Sequence, residues 1–215
     1  MTDVVVIDYG VVNLRNILRG LEYVGVRAES STDPDRVLSS DRVILPGVGA
    51  FAAGMAELQE LGMDEALKRF AHIGRPVLGI CLGMQMLLDN STEHGRHLGL
   101  GLIPGTVTSI PNGSTETGRK FRKVPHIGWN SLCHPPHLSS WNGSCLDDTP
   151  PGAYCYFVHS YMVEPETPEH VLAHCVYEEL PVIGAIRKDN ITGLQFHPER
   201  SGPVGLEILR RFVNQ

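Results

Sequence analysis

Apolar positions along the first half of the chain come in short runs that alternate with helix-spaced segments. VVVID, residues 4–8, is apolar everywhere but at its end, the mark of a strand covered on both faces. Residues 13–24 then place Leu14, Ile17, Leu18 and Leu21 on one face of a helix. RVILPG, residues 42–47, repeats the strand-then-glycine pattern, and residues 55–70 return to helical spacing. PVLGI, residues 76–80, is a third strand, and residues 84–88 open a third helix. Apolar strands alternating with helices predict a parallel sheet joined by right-handed crossovers.

The period changes in the second half. GLIPGTVTSI, AYCYFVHSYMV, HVLAHCVY and PVIGAIRKDNITGLQF read as strands, the last as a hairpin turning at Asp189 and Asn190. Residues 204–213 form a closing helix. The expected fold is α/β: a mostly parallel central sheet flanked by helices, with antiparallel strands in the second half, in a single domain over residues 1–215. Residues 112–149, rich in Pro, Gly, Ser and Asn, are expected to contain long loops.

Composition adds exclusions. The chain has 215 residues, 42% apolar and 20% charged, as an ordinary globular protein does. Its net charge of -6 argues against nucleic acid or an anionic membrane as partner. MTDVVVIDYG lacks the basic start of a signal peptide and no apolar run could span a bilayer, so the expected location is the cytoplasm. Cys81, Cys133, Cys145, Cys155 and Cys175 are odd in number and irregularly spaced, which is no disulfide framework. The Asn-x-Ser/Thr matches, such as the one from Asn112 to Ser114, carry no weight without a secretion signal. Cys133 with His134 and His137 lacks a fourth ligand, so no metal is assigned.

One cysteine stands apart. Gly79-Ile80-Cys81-Leu82-Gly83 has the form of a nucleophile elbow, with a strand running in and a helix running out. A side chain there projects from the C-terminal edge of the sheet, at a helix N-terminus that favours a thiolate. The Leu82 N–H would face an oxyanion. The motif alone equally describes a buried packing cysteine. A thiolate needs a histidine and a group to orient it. His197-Pro198-Glu199 offers both after the strand ITGLQF, although such a tripeptide is also a plain surface turn. LPGVGAF, residues 45–51, can aim the Val48 N–H at the same oxyanion, or be a simple turn. It has neither the Lys-Ser/Thr of a P-loop nor a dinucleotide fingerprint.

PGVGAF, GICLGMQ and FHPE, in that order and spacing, resemble the class I, triad-type glutamine amidotransferases. VVVIDYG, NLRNILRGLEYVG, LGLGLIPG, KVPHIGWN and YFVHSY narrow the resemblance to the glutaminase subunits of imidazole glycerol phosphate synthase, over nearly the whole chain. The resemblance implies a flavodoxin-like class I amidotransferase fold. It implies that Cys81 attacks the amide of L-glutamine, that His197 relays the proton, and that Glu199 orients it. Val48 and Leu82 would form the oxyanion hole, in a segment that needs a peptide flip coupled to the partner's ligand. Gly47, Gly49, Gln85, Glu93, Ser160 and Tyr161 match positions that hold glutamine, with Glu93 suited to its ammonium group. Asn13, Trp129, Tyr156 and Arg200 match positions at the interface with a (β/α)8-barrel synthase subunit. Ammonia would pass into that barrel, and no cofactor or metal is implied.

Two departures from the family pattern bear on the partner. DYGVVNLRN carries Val12 where a glycine is usual and Asn16 where a serine is usual, and Arg200 replaces the usual lysine after the triad glutamate. They leave open a paralogous subunit that feeds a sugar-modifying enzyme of surface-polysaccharide synthesis. A silent, partner-binding subunit and a stand-alone cysteine hydrolase also remain open. The resemblance further implies that the isolated chain is a poor glutaminase.

Overall fold

Short apolar strands build the centre of the molecule, because only β-branched and aliphatic residues fill positions covered from both sides. The computed structural model describes residues 2–112 and 122–215. The Asn-x-Ser match ending at Ser114 and part of the 112–149 stretch lie outside the described residues. In chain order the elements are β1 (Val4–Ile7), α1 (Leu14–Tyr23), β2 (Ala28–Ser31), α2 (Pro34–Ser39), β3 (Arg42–Leu45), α3 (Phe51–Glu60), α4 (Met63–His72), β4 (Val77–Ile80) and α5 (Leu82–Met86). There follow β5 (Leu88–Ser91), β6 (His97–Leu98), β7 (Ile103–Ser109), β8 (His126–Ser131), β9 (Tyr154–His159), β10 (Tyr161–Pro165), β11 (Val171–Tyr177), β12 (Leu180–Lys188), β13 (Ile191–Leu194) and α6 (Gly202–Asn214).

Seven strands form the main sheet in the order β11-β12-β13-β4-β3-β1-β2. From β13 to β2 all neighbours are parallel, and β11, β12 and β13 are joined antiparallel. The expected α/β architecture is thus present, and the hairpin at Asp189 and Asn190 returns β13 parallel to β4. Strand alternation sorts the core. Val5, Ile7, Val43, Leu45 and Val77 face Phe51, Leu58 and Phe70 of α3 and α4, while Val4, Val6, Ile44, Leu78 and Ile80 face Ile17 and Leu21 of α1 and Leu209 and Phe212 of α6. Each such fully buried side chain contributes about 1.5–3 kcal/mol of transfer free energy. A four-stranded sheet, β10-β7-β5-β6, and a two-stranded ribbon, β8-β9, complete the fold.

Several expectations are corrected. The helix expected at 55–70 is two helices, because Gly62 takes a left-handed φ of 67° between α3 and α4. The third helix starts earlier than expected, at Leu82, and ends at Met86, where the chain enters β5 and the smaller sheet. AYCYFVHSYMV is two strands in different sheets, with β9 on β8 and β10 on β7. The polar edge strand β2 and the helix α2 have no apolar pattern; Asp33, whose carboxylate accepts from the Asp35 N–H, and Pro34 mark the start of α2. Strand β8 lies inside the stretch read as loops.

Among the described residues, no helix is long and apolar enough to cross a membrane. His134 packs edge-on against Trp141, with centroids 4.2 Å apart, and the Cys133 backbone pairs with that of His174. The parallel strands end together at one edge of the sheet. Tyr9 follows β1, residues 46–50 follow β3, Cys81 follows β4, and residues 195–199 follow β13. Ligands of open α/β sheets bind at this C-terminal edge.

Candidate active site

Cys81 sits at the end of β4 with φ 55° and ψ -109°, a positive-φ conformation that a non-glycine residue adopts at a cost of about 1–3 kcal/mol. The turn is held from both sides. The Cys81 N–H donates to Leu194 O at 2.7 Å, and the α5 backbone packs against the end of β3. A Cβ on Gly83 would overlap the Leu45 carbonyl oxygen, so only glycine permits that approach. Cys81 Sγ lies 3.8 Å from Val158 O and 3.8 Å from Gln195 Nε2.

His197 and Glu199 flank Pro198 at the start of a 3-10 turn that begins just beyond β13. The proline stops the strand and folds the carboxylate back. His197 Nδ1 and Glu199 Oε1 are 2.7 Å apart, with both side chains almost wholly buried. Asn13, at the start of α1, donates from Nδ2 to the same Oε1 at 2.5 Å. Its own Oδ1 accepts from Asn16 Nδ2 at 2.8 Å. Burial works to lower the His197 pKa, but interaction with the Cys81 sulfur and the bond to Glu199 outweigh it, and the imidazole is pushed up to about 10. Its other nitrogen, Nε2, is buried and without a hydrogen-bond partner among the described residues. That is the nitrogen a thiol would use.

Cys81 and His197 open into one cavity of about 320 Å³, shared with Val48, Gly49, Leu82, Gln85, Glu93, Ser160 and Tyr161. The structure therefore brings the expected triad and nearly all of the expected glutamine contacts together. Gln85 Nε2 commits its hydrogens to Tyr161 O and Gln195 Oε1, both at 3.1 Å, which leaves its carbonyl oxygen as an acceptor. Glu93 Oε2 accepts the Phe51 N–H at 2.6 Å. Gly47 lies beneath the cavity, against Leu82 and Gly83, where a Cβ would collide with both.

The two expected oxyanion donors, Val48 and Leu82, do not converge in this arrangement of the segment. The Leu82 N–H donates to Gly47 O at 3.3 Å. A trans peptide points its carbonyl and N–H in opposite directions, so the Val48 N–H of that peptide points away from Leu82. Tyr9 fixes the residue before it, donating to Pro46 O at 2.7 Å. Burial and nearby Cys81 push the Tyr9 hydroxyl above its ordinary pKa, which keeps it a donor.

Trp129, Tyr156 and Arg200 form a patch outside the cavity. The Arg200 guanidinium stacks 4.5 Å over the Tyr156 ring, and Trp129, 55% exposed, meets that ring edge-on at 6.0 Å. Val12 is 90% exposed. Asn13 is unlike the other expected interface residues, because its side chain turns inward to the histidine–glutamate pair.

Sequence reasoning missed four residues of the site: Tyr9, His126, His159 and Gln195. Gln195 is fully buried beside Cys81, just beyond β13, and a glutamine closing a mostly apolar run was its signal. His159 lines the cavity, and its ring lies between Tyr161 O, 2.7 Å from Nδ1, and His126 Nδ1, 2.9 Å from Nε2. Two histidines in strands of alternating burial were visible, but nothing in the sequence pairs them.

A family model of the class-I glutamine amidotransferases matches residues 5–215. Imidazole glycerol phosphate synthase subunit HisH 1 of Legionella pneumophila (strain Lens) is 43% identical over 213 residues, covering 99% of each chain. Subunit HisH of Geobacter sulfurreducens is 45% identical over 215 residues, covering 99% of this chain and 98% of that protein. Among solved structures, a glutamine amidotransferase superposes with a TM-score of 0.72 at 16% identity, over 98% of this chain and 99% of the other. A chain of PurLQS from Thermotoga maritima superposes with a TM-score of 0.69 at 19% identity, over 99% of this chain and 98% of the other. At that identity the structural likeness speaks for the fold alone.

Proposed function

The chain belongs to the class-I glutamine amidotransferase family, and on that premise we propose that it is the glutaminase subunit of an imidazole glycerol phosphate synthase. Cys81 passes its thiol proton to His197 Nε2, and the thiolate Sγ attacks the side-chain carbonyl carbon of L-glutamine. The tetrahedral oxyanion is held by the Val48 and Leu82 N–H groups once the Gly47–Val48 peptide has turned over. His197 Nε2 gives its proton to the amide nitrogen, the C–N bond breaks, and ammonia leaves a γ-glutamyl thioester on Cys81. His197 then takes a proton from water, the hydroxide displaces the thiolate, and L-glutamate departs. Glu199 and Asn13 keep the imidazole oriented. Glu93 receives the substrate's ammonium group, and Gln85, Ser160 and Tyr161 surround the rest.

The observation that carries this reading is the His197 imidazole. It is raised in pKa by its neighbours, oriented on one side by Glu199, and buried without a partner on the other, in the cavity that holds Cys81. A catalytically silent subunit would have no use for that arrangement.

The ammonia acceptor is the (β/α)8-barrel synthase subunit, which docks on the patch of Trp129, Tyr156 and Arg200 and yields imidazole glycerol phosphate and aminoimidazole carboxamide ribotide. Full-length relatives at 43–45% identity support this partner over a sugar-modifying one. Two of the three unusual residues also find partners, since Asn16 bonds Asn13 and Arg200 stacks on Tyr156, while Val12 is exposed.

The test is glutamate release by the complex of this chain with the barrel subunit. We expect Cys81→Ala to lower it at least about 1000-fold. A glutamine-like chloroketone should label wild type at Cys81. Full activity of Cys81→Ala, or no labelling, would overturn the glutaminase reading. Failure of the chain to bind the barrel subunit would overturn the partner.

A further inference from the structure

The segment after β3 is pinned at both ends. At its start, Tyr9 holds Pro46 O and the Leu82 N–H holds Gly47 O. At its far end the helix α3 begins at Phe51. A helix start leaves four N–H groups without intrahelical partners, and a Ser, Thr, Asp or Asn normally answers one of them. Here the capping position is Ala50, which has no side chain able to do so, and the first turn holds no acid.

The missing acceptor comes from a distant part of the chain. Glu93, just beyond β5, has its own N–H held by Ser91 Oγ at 3.1 Å, and its Oε2 accepts the Phe51 N–H at 2.6 Å. Val48 and Gly49 lie between the two anchors, with Gly49 at φ 103°, and Ala50 O accepts the Gly54 N–H at 3.0 Å to begin α3. The same Glu93 lines the cavity, and its Oε1 has no partner among the described residues. A carboxylate has about four acceptor sites, so one N–H leaves room for an ammonium group.

We infer that Glu93 is a positioning residue for the oxyanion segment as well as a seat for the substrate's ammonium group. The inference rests on the glutaminase reading, in which Glu93 binds ammonium; the second role is new. One carboxylate then joins the substrate's α-amino end to the segment that must present the Val48 N–H. A substrate that neutralises Glu93 acts directly on the anchor of that segment. Glutamine is thereby distinguished from amides lacking the α-amino group in turnover, and not in affinity alone.

The deciding experiment uses the complex with the barrel subunit and two substrates, L-glutamine and glutaramate, the same amide without the amino group. Wild type, Glu93→Gln and Glu93→Ala are compared by kcat and KM. The amide of E93Q can still accept from Phe51 but cannot hold a cation. E93Q is therefore expected to raise KM for L-glutamine about 10–100-fold, the usual worth of a charge-assisted bond. E93A removes both roles, and its kcat is expected about 10-fold or more below that of E93Q. The drop from E93Q to E93A should persist with glutaramate, which has no ammonium to lose. Amide exchange at Phe51 should quicken in E93A and not in E93Q. Should E93A fail to fold, Glu93→Met keeps the bulk and is read in its place. Equal kcat for the alanine (or methionine) and glutamine variants, with either substrate, would overturn the inference while leaving the glutaminase reading intact. A wild-type complex that releases no glutamate would overturn both.

Discussion

The Leu82 N–H donates to the Gly47 carbonyl oxygen, so a carbonyl fills the place where a developing oxyanion would need donors. Turning over one peptide, Gly47–Val48, would remove that carbonyl, free Leu82 and bring in the Val48 N–H. The chain by itself is thus expected to hydrolyse glutamine slowly. Because one oxyanion donor is worth about 100–1000-fold in kcat, the barrel subunit with its ligand bound should accelerate turnover by at least about 100-fold. Steady-state glutamate release with and without the barrel subunit measures this, and equal rates would contradict it.

Asn13 donates to the oxygen of Glu199 that faces His197. Without it the carboxylate loses a donor and the imidazole loses its fixed angle. Asn13→Ala should lower kcat about 10-fold, with a much smaller change in KM and in melting temperature. A variant altered only in KM would show that Asn13 contacts substrate instead.

Gly83 has no room for a methyl group, because the Leu45 carbonyl oxygen occupies the space. Gly83→Ala forces β3 and α5 apart beneath the elbow. We expect a loss of about 3 kcal/mol or more, read from urea unfolding, together with loss of Cys81 labelling. A variant of wild-type stability would show that the elbow is looser than its geometry indicates.

His126 and His159 form a buried pair beside the cavity, with burial pushing them down to about 4 and about 3. Both are lowered from 6.5, so the folded state prefers them neutral while the unfolded chain takes up protons. Their contribution to stability is therefore complete above about pH 6.5 and is lost as the pH falls from there toward about 4 and 3. The melting temperature should drop by about 5 °C or more between about pH 7.5 and about pH 4.5. His126→Phe, stacked between Phe157 and Tyr177, should show a shallower decline. An unchanged slope in that variant would remove His126 from the account.

Much of this was legible from the chain. Apolar runs at β1, β3 and β4 announced the sheet, since strands covered on both faces are nearly all apolar. The elbow was legible because a tight strand-to-helix turn demands glycine at Gly79 and Gly83. Edge strand β2 was not, because a half-exposed strand of polar residues has no hydrophobic signature. The roles of Gln195 and of the His126–His159 pair were harder to read for another reason: each acts through a neighbour supplied by a different element. The state of the oxyanion segment was equally invisible, since one sequence serves both orientations of the Gly47–Val48 peptide.

The order of the strands also sets a schedule. Cys81 leaves the ribosome with β1, β3 and β4, but the strand that completes its surroundings, β13 (Ile191–Leu194), is translated much later, and His197 and Glu199 follow it. At roughly 5–20 residues per second, the nascent chain carries its thiol for several seconds to tens of seconds before an imidazole can reach it. The arrival of β13 between β12 and β4 brings Gln195 against Cys81 and buries the thiol, which makes thiol alkylation a clock for that step of sheet assembly.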